Sequence, residues 1–488
     1  MTKPVLIIGA GPVGMTLASE LARYGVSVRI VDKAAQRTDK SKALVVWSRT
    51  LELLDRGGGS APFVDAGFKA EVVNFFTGDK AVGRVSMAGV QSPHPYGLML
   101  PQSETERLLE ERLEGLGVAV DRQVELVSFT NGDDGVEAVL RHADGREETV
   151  SANWLVGCDG THSAVRHGVG APFDGKTMDS DWMLADVHMR GYPIPDTEAS
   201  VYWHKDGVFV MFPISPGRYR LLANLPPSGE VHPPTPTLEQ VQAMTDRRGP
   251  PGMTAFDPIW LAGFRINGRK VSSYRWGRAF LCGDAAHVHS PAGGQGMNTG
   301  MQDAFNLAWK LAAVAHGLSR EVLLESYSVE RSEVGEHVLA DAQRLTIVGT
   351  MRNPVAQTIR NAVGHLMLGL APVQHTFANT MTQVSAGYPK SPLNGSVFSG
   401  GPKPGARVVP VAGQTPLGSG TSPLFALFAK PTAATAGLTD QFSTVLDAEL
   451  RSPFHEDGVW LVRPDGYVAC AAAAGNEGAI ARYFAEHL

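Results

Sequence analysis

Cysteine is scarce in this chain. Its 488 residues hold three, Cys158, Cys282 and Cys470, far apart and without a CxxC pair. That pattern excludes a disulfide scaffold and a thiol-built metal centre, and it fits a reducing compartment. Long apolar runs are missing as well: no stretch of about 18 uninterrupted apolar residues exists, so no membrane span is expected. The apolar start at Val5 is too short for the core of a secretion signal, and the expected location is the cytoplasm. Charge of one sign is not in excess, with a formal net −6 from 43 basic and 49 acidic residues. This gives no electrostatic case for nucleic-acid or anionic-membrane partners. Internal repeats are absent too.

What is present is an ordinary globular composition, 43% hydrophobic and 19% charged, with enough chain for about three domains. The first 32 residues organise it. Pro4 to Gly9 reads as a buried parallel strand running into Gly9-Ala-Gly11-Pro-Val-Gly14, and a helix from about Pro12 to Tyr24 follows, closed by Gly25. Gly9 permits the tight turn, Gly11 lets backbone approach a pyrophosphate, and Gly14 lets helix pack on strand. The free N–H groups of the helix start favour phosphate. A second strand, Val26 to Val31, delivers Asp32 where a carboxylate can reach the adenosine ribose. The element specifies a dinucleotide and leaves NAD, NADP and FAD open.

Residues 43–55 read as a strand or loop turning into a helix, preceded by Lys40 and Lys42. Short strands are expected over 71–100. A helix then opens after Pro101 with Gln102 just ahead of it and Ser103 and Glu106 spaced as a capping box. Strand signals fill 119–152, and a second strand-to-turn element ends on Cys158-Asp159-Gly160 with Arg166 downstream. Antiparallel sheet is expected again over 179–225, carrying Tyr202, Trp203, His204, Met211, Phe212, Tyr219 and Arg220. The third element is Gly283-Asp284-Ala-Ala-His287-Val-His289-Ser-Pro291, a glycine-rich loop through Gly296-Met297-Asn298, and a long helix from near Gly300. Glycines at that density in front of a helix make the backbone itself the binding surface. His287 and His289 have metal-like spacing but no third ligand nearby, so no metal is expected. Gly395 to Pro416 reads as a linker.

The three elements, in this order and spacing over roughly residues 3 to 390, resemble the single-component FAD-dependent aromatic hydroxylases of the para-hydroxybenzoate hydroxylase fold. The C-terminal part resembles the thioredoxin-like extension of the phenol and polyketide hydroxylase branch. The implied fold is α/β: a Rossmann-like FAD-binding domain (1–72, 101–178 and 268–345), an inserted antiparallel β-sheet substrate domain (73–100 and 179–267), a helical segment (346–394) and a thioredoxin-like C-terminal domain (395–488). With Cys470 alone, that last domain cannot run dithiol chemistry.

Carried onto this sequence, the resemblance puts Gly9, Gly11, Gly14 and Asp32 on the ADP half of FAD, with Lys33 beside them. Lys42 and Gln102 follow along the pyrophosphate and ribityl. Asp159 is associated with FAD and nicotinamide, Asp284 with the ribityl side, and Gly296, Met297 and Asn298 with the flavin ring. Asp32-Lys33 stands where the family usually has Glu-Arg, and Lys42 where Arg is common, which keeps charge but loses fork geometry. The implied reaction uses NADPH or NADH and O2 as co-substrates, and a flavin hydroperoxide carries oxygen onto a phenolic ring. Backbone N–H groups of 296–298 suit the negative charge that develops on flavin. Tyr202 and Arg220 are the candidates to assist phenol activation, and Trp203, Met211, Phe212 and Pro291 the candidate walls. The expected partners are a small aromatic substrate and, as an option left open, a second copy in a homodimer. Two alternatives stay open: a flavoprotein that oxidises or epoxidises a non-aromatic compound, and a FAD-binding relative without turnover.

Overall fold

The computed structural model describes residues 3–488. Val5–Ile8 is the four-residue apolar run that the N-terminus starts with, and it lies at the centre of a six-stranded sheet. It pairs in parallel with Val28–Asp32 on one side and Trp154–Gly157 on the other. Burial on both faces is what makes its sequence continuous rather than alternating. Helices α1 (Pro12–Arg23), α2 (Ser48–Asp55) and α3 (Gln102–Gly115) belong to this unit. The start of α3 departs from expectation. Its N-cap is Pro101, and Ser103 and Glu106 form no capping box. Instead Ser41 Oγ accepts from the Gln102 N–H at 2.7 Å, and Glu106 accepts from the Gln102 side chain at 2.9 Å. A partner supplied from a distant loop has displaced the local cap.

The second unit is an eight-stranded sheet built mainly from Val72–Thr77, Lys80–Ser86, Asp174–Arg190, Glu198–His204, Gly207–Ser215, Arg218–Leu225 and Thr254–Lys270. The region 73–100 is therefore divided. Its first two strands join the large sheet, while Gly97–Met99 pairs with Val45–Val46 and Phe68–Ala70 in a small separate sheet. Thr254–Lys270 has no clean alternation in sequence because it contains Pro258, Gly263 and Gly268. A register shift beside Asp257, which sits at φ +46°, absorbs the proline. One face of the sheet is covered by α4 (Leu238–Arg248), whose capping box of Thr237 and Gln240 is formed.

The glycine-rich loop leads into α5 (Gly296–Ala315), which begins four residues earlier than the sequence suggests. Nearly every α5 side chain from Asn298 to Ala313 is buried, polar ones included. α6 (Glu325–Thr350), α7 (Pro354–Leu368) and α8 (Ala371–Met381) follow. The last unit is a four-stranded sheet in the order Leu446–Arg451, Phe425–Phe428, Gly458–Val462, Val468–Ala473. Its first pair is parallel and the rest antiparallel, and the helices Ala433–Gln441 and Gly478–His487 belong to the same unit. This sheet shares a core with the rest of the chain: Phe425 meets Trp309 of α5 edge-on at 5.9 Å, in one cluster with Tyr24. Buried ions join the units as well, because Glu330 of α6 accepts from Lys310 Nζ at 2.7 Å and from Arg463 Nη2 at 3.0 Å. No helix of the described residues is long and apolar enough to cross a membrane.

Candidate active site

The three glycines of the N-terminal turn do three different jobs. Gly9 sits at φ +98°, and a Cβ there would lie 2.5 Å from the Cys158 carbonyl oxygen. A Cβ on Gly14 would lie 1.9 Å from the Gly9 carbonyl oxygen, so α1 touches the turn with no room to spare. Gly11 has nothing within 4 Å of an added Cβ, and α1 has no side-chain cap for its first N–H groups. Asp32 locks the turn by accepting from Ala10 N at 2.7 Å and Ala34 N at 2.8 Å. Lys33 beside it is exposed.

The second and third elements are joined to each other. Asp159 accepts from the backbone of Ala164 at 2.7 Å and Val165 at 3.3 Å, while its other oxygen is buried without a partner. Burial raises its carboxyl above the usual range. Arg166 donates to the carbonyls of Thr161 and Ala285, tying the second element to the third. The Asp284 side chain reaches the cleft surface, yet protein surrounds it. The desolvation this protein surround imposes raises its carboxyl although the side chain is exposed, against the pull of His287 and of Lys42, whose side chain is exposed too.

α5 starts at Gly296 with no side-chain cap, so the N–H groups of Gly296, Met297 and Asn298 carry unpaired positive dipole. The Asn298 side chain has other work. It accepts from Trp47 N at 2.8 Å and donates to Val45 O at 2.8 Å and Gly294 O at 3.0 Å, stapling the strand Val45–Val46 to the glycine loop. Gln102 has a similar part, accepting from Ala43 N at 3.1 Å and so fixing the segment that carries Lys42. His289 donates from Nδ1 to Ser290 O at 2.8 Å, and its buried Nε2, without a partner, lies beside Gly296. Burial pushes its pKa down to about 4, so the ring is neutral near pH 7. His287 is held at 2.8 Å by Asp303, which also accepts from Gly283 N and Arg331 Nε.

The large sheet closes the site, and here strand parity corrects several expectations. Tyr202 and Met211 point to the face under α4, in a cluster with Phe209, Tyr219 and Val241. Tyr202 stacks on Phe76 at 5.0 Å, and Tyr219 is bonded to Asp196. Trp203 and Phe212 point the other way, as alternation requires. Trp203, however, is covered by α7, packed on Gly364 and beneath Arg360, 4.9 Å from its ring. Phe212 is the expected wall residue that meets the flavin-loop region, in an apolar cluster with Val45, Trp47, Met99, Ile214 and Met381. Trp47 donates from its indole to Gly293 O at 2.9 Å, and Gly294 N donates to Pro291 O at 2.9 Å, which places Pro291 in the same loop. Arg220 is not free to act on a substrate. It is buried in a bidentate pair with Asp186 at 2.7 and 2.8 Å and donates to Lys42 O at 3.1 Å, which makes it a positioning residue between the two units.

Of the residues that sequence reasoning misses, Ile214 could have been found by stepping two positions from Phe212. Trp47, Met99 and Met381 carry no local signal. A cavity of about 490 Å³ opens between loop 39–41 and the sheet, shares Met99 and Ile214 with the apolar cluster, and exposes Arg218 and Trp260 on its wall.

This donor set fits FAD. It comprises the uncapped start of α1, the carboxyls of Asp159 and Asp284, and the uncapped start of α5 beside an apolar wall. The sequence pattern of the family described as "FAD binding domain" matches residues 2–342. The chain belongs to that family. This FAD-binding monooxygenase is 38% identical over 403 residues to the 6-methylpretetramide 4-monooxygenase of Streptomyces rimosus, covering 80% of its own length and 70% of that relative. Its fold is similar to that of the anhydrotetracycline hydroxylase OxyS from Streptomyces rimosus, with a TM-score of 0.79, 28% identity and 99% of each chain covered. The aromatic hydroxylase CabE from angucycline biosynthesis matches with a TM-score of 0.80, 29% identity and the same 99% coverage of each. Since both alignments span the full length, the C-terminal unit is part of the shared architecture.

Proposed function

We propose that the monooxygenase hydroxylates a phenolic or polycyclic aromatic compound with NADPH or NADH as electron donor. The observation that carries this reading is the apolar wall of Phe212, Ile214, Trp47 and Met381 set against the glycine loop and α5. The similarity to an anhydrotetracycline hydroxylase and to an aromatic hydroxylase from angucycline biosynthesis supports it. The chemistry that FAD supplies when bound is hydride acceptance from the nicotinamide and activation of O2. Gly9, Gly11, Gly14, Asp32, Lys42, Asp159 and Asp284 hold it. The α5 N–H groups favour negative charge on the ring, and the apolar wall excludes water and orients the aromatic substrate. Segments 1–72, 101–178 and 268–345, apart from the strand ends at 72, 174–178 and 268–270 that run in the large sheet, serve as the flavin-holding unit, and the sheet with 179–267 as the substrate-holding unit.

Arg218 is the side chain best placed to hold a phenolate. It lines the cavity, and its nearest carboxylate, Asp186 at 4.0 Å, is already engaged by Arg220. In Arg218→Met the KM for a phenol is expected to rise about tenfold with kcat far less changed and the flavin spectrum intact, since one charge-assisted bond is lost. Steady-state kinetics with an ionisable phenol and its methyl ether checks it, because the ether should show no such difference.

The direct test of the function is NADPH and NADH oxidation by holoenzyme alone and with a panel of phenols and polycyclic aromatics. Strong acceleration by one aromatic class supports the proposal. Acceleration only by non-aromatic lipophiles overturns it. A reducing, cytoplasmic setting belongs to the same reading, supported by three unpaired cysteines. So does a homodimer, supported by the uncharged outer face of α7, where Val355, Ile359, Val363 and Leu366 are exposed. Analytical ultracentrifugation should then give a dimer mass that falls to monomer in Ile359→Lys.

A further inference from the structure

A second cavity, of about 360 Å³, lies between α2 and the C-terminal unit, on different residues from those of the flavin cleft. Three arginines line it, Arg49 from α2, Arg56 just past its end and Arg451 from the C-terminal sheet, and they are only 3%, 5% and 8% exposed. Arg49 Nε, Arg56 Nε, Arg56 Nη1 and Arg451 Nε are buried and have no hydrogen-bond partner among the described residues. The carboxylates nearby are already committed. Glu52 takes Arg49 and Arg407, Asp55 takes His94 and Ser60, and Asp465 takes Arg463. Glu20 is bonded to Arg23 and Arg112 and stands 4.0 Å from Arg56. Arg451 has no ion pair among the described residues. The four unpartnered nitrogens are sealed from the cavity as well, whereas the Nη atoms of Arg451 are not sealed and no hydrogen bond or ion pair among the described residues holds them, which leaves a lining cation free to take an anion.

The rest of the cavity is apolar. Leu53, Phe428 and Leu417 line it, and Val409, Val411 and Phe454 are exposed in its lining at 41%, 57% and 37%. A bare inorganic anion would leave that apolar surface uncovered. The volume lies in the range of small-molecule sites.

We propose that this cavity is a binding site for a small organic anion, with its carboxylate or phosphate head on Arg451 and its apolar body on Val409, Val411 and Phe454. The site is separate from the flavin cleft and does not depend on which aromatic compound the enzyme hydroxylates.

Isothermal titration of the holoenzyme with n-hexyl phosphate, hexanoate, inorganic phosphate and 1-hexanol tests it. One of the two amphiphilic anions is expected to bind at one site per chain, and which of them binds more tightly identifies the head group. Inorganic phosphate and hexanol should each bind about tenfold more weakly or worse. R451Q, which removes a cation without an ion partner, and V409D, at an exposed position, should each weaken the amphiphile by a similar factor. An unchanged melting temperature and flavin spectrum show that each variant is folded. Absence of saturable binding by both amphiphiles overturns the proposal. Equal binding by parent, R451Q and V409D overturns it too, because the anion would then sit elsewhere.

Discussion

Gly14→Ala is expected to yield a protein purified without flavin colour and with a lowered melting temperature. The added methyl would lie 1.9 Å from the carbonyl oxygen of Gly9, and that atom cannot move away. Gly9 is itself fixed at φ +98° against the backbone of Cys158, and Ala10 next to it is tied to Asp32. With backbone on both sides no side chain can give way, so α1 must shift along the strand, at a cost of about 1–3 kcal/mol or more. The phosphate-binding end of α1 moves with it. Gly11→Ala separates packing from ligand approach. Nothing lies within 4 Å of its added methyl, so the fold should keep its melting temperature while the methyl intrudes where a pyrophosphate must come close. Flavin absorbance per chain together with thermal unfolding reads both effects. A fully yellow Gly14→Ala protein would contradict the assigned role of the turn.

Asp303→Asn should destabilise the folded protein by about 3–5 kcal/mol, the usual effect of removing one partner from a buried ion pair. Asp303 is fully buried on α5 and accepts from Arg331 Nε at 2.6 Å, His287 Nε2 at 2.8 Å and Gly283 N at 3.0 Å. Its loss leaves the Arg331 guanidinium buried without its carboxylate and frees the turn that carries Asp284, so flavin affinity should fall together with stability. The shift of the urea midpoint measures the first and flavin release on dilution the second.

The same carboxylate sets a pH dependence. Burial pushes the Asp303 carboxyl up, but Arg331 and His287 outweigh it and the net direction is down. Glu330 follows the same pattern, burial being outweighed by Arg463 and Lys310. Groups whose folded pKa lies below the unfolded value give stability that is fully present above the ordinary carboxylate pKa and lost as pH falls through the folded one. Stability should therefore begin to fall below about pH 6.5, where the His289 ring stays neutral in the folded protein but protonates in the unfolded chain, and fall more steeply below about pH 4, less steeply there in Asp303→Asn. Thermal unfolding across that range checks the sign.

The parts of the site made by backbone were legible in the sequence. Gly9, Gly11, Gly14 and the loop before α5 announce themselves because only glycine suits those conformations and approaches, and because strand, turn and helix follow in a fixed order. The sheet was less legible. Alternation says that Tyr202 and Met211 oppose Trp203 and Phe212, but which face meets the flavin cleft depends on where α4 and α7 pack, and that is decided by tertiary structure. α7 takes Trp203 out of the site for the same reason. Polar residues misled in a different way. Asn298 and Arg220 have the chemistry of ligand contacts, yet their hydrogen bonds are used inside the protein, by partners about 180 to 250 positions away in sequence. The capping box at Ser103 and Glu106 failed through a similar long-range partner, Ser41.

The most direct test of the central claim is isotope labelling. Holoenzyme is incubated with NADPH, the aromatic compound that most accelerates its oxidation, and ¹⁸O₂, and the product is analysed by mass spectrometry. One heavy oxygen on the aromatic ring is the expected result, with the second released as water. If the reducing equivalents are consumed and the oxygen goes entirely to hydrogen peroxide or to a non-aromatic position, the assignment as an aromatic hydroxylase is contradicted.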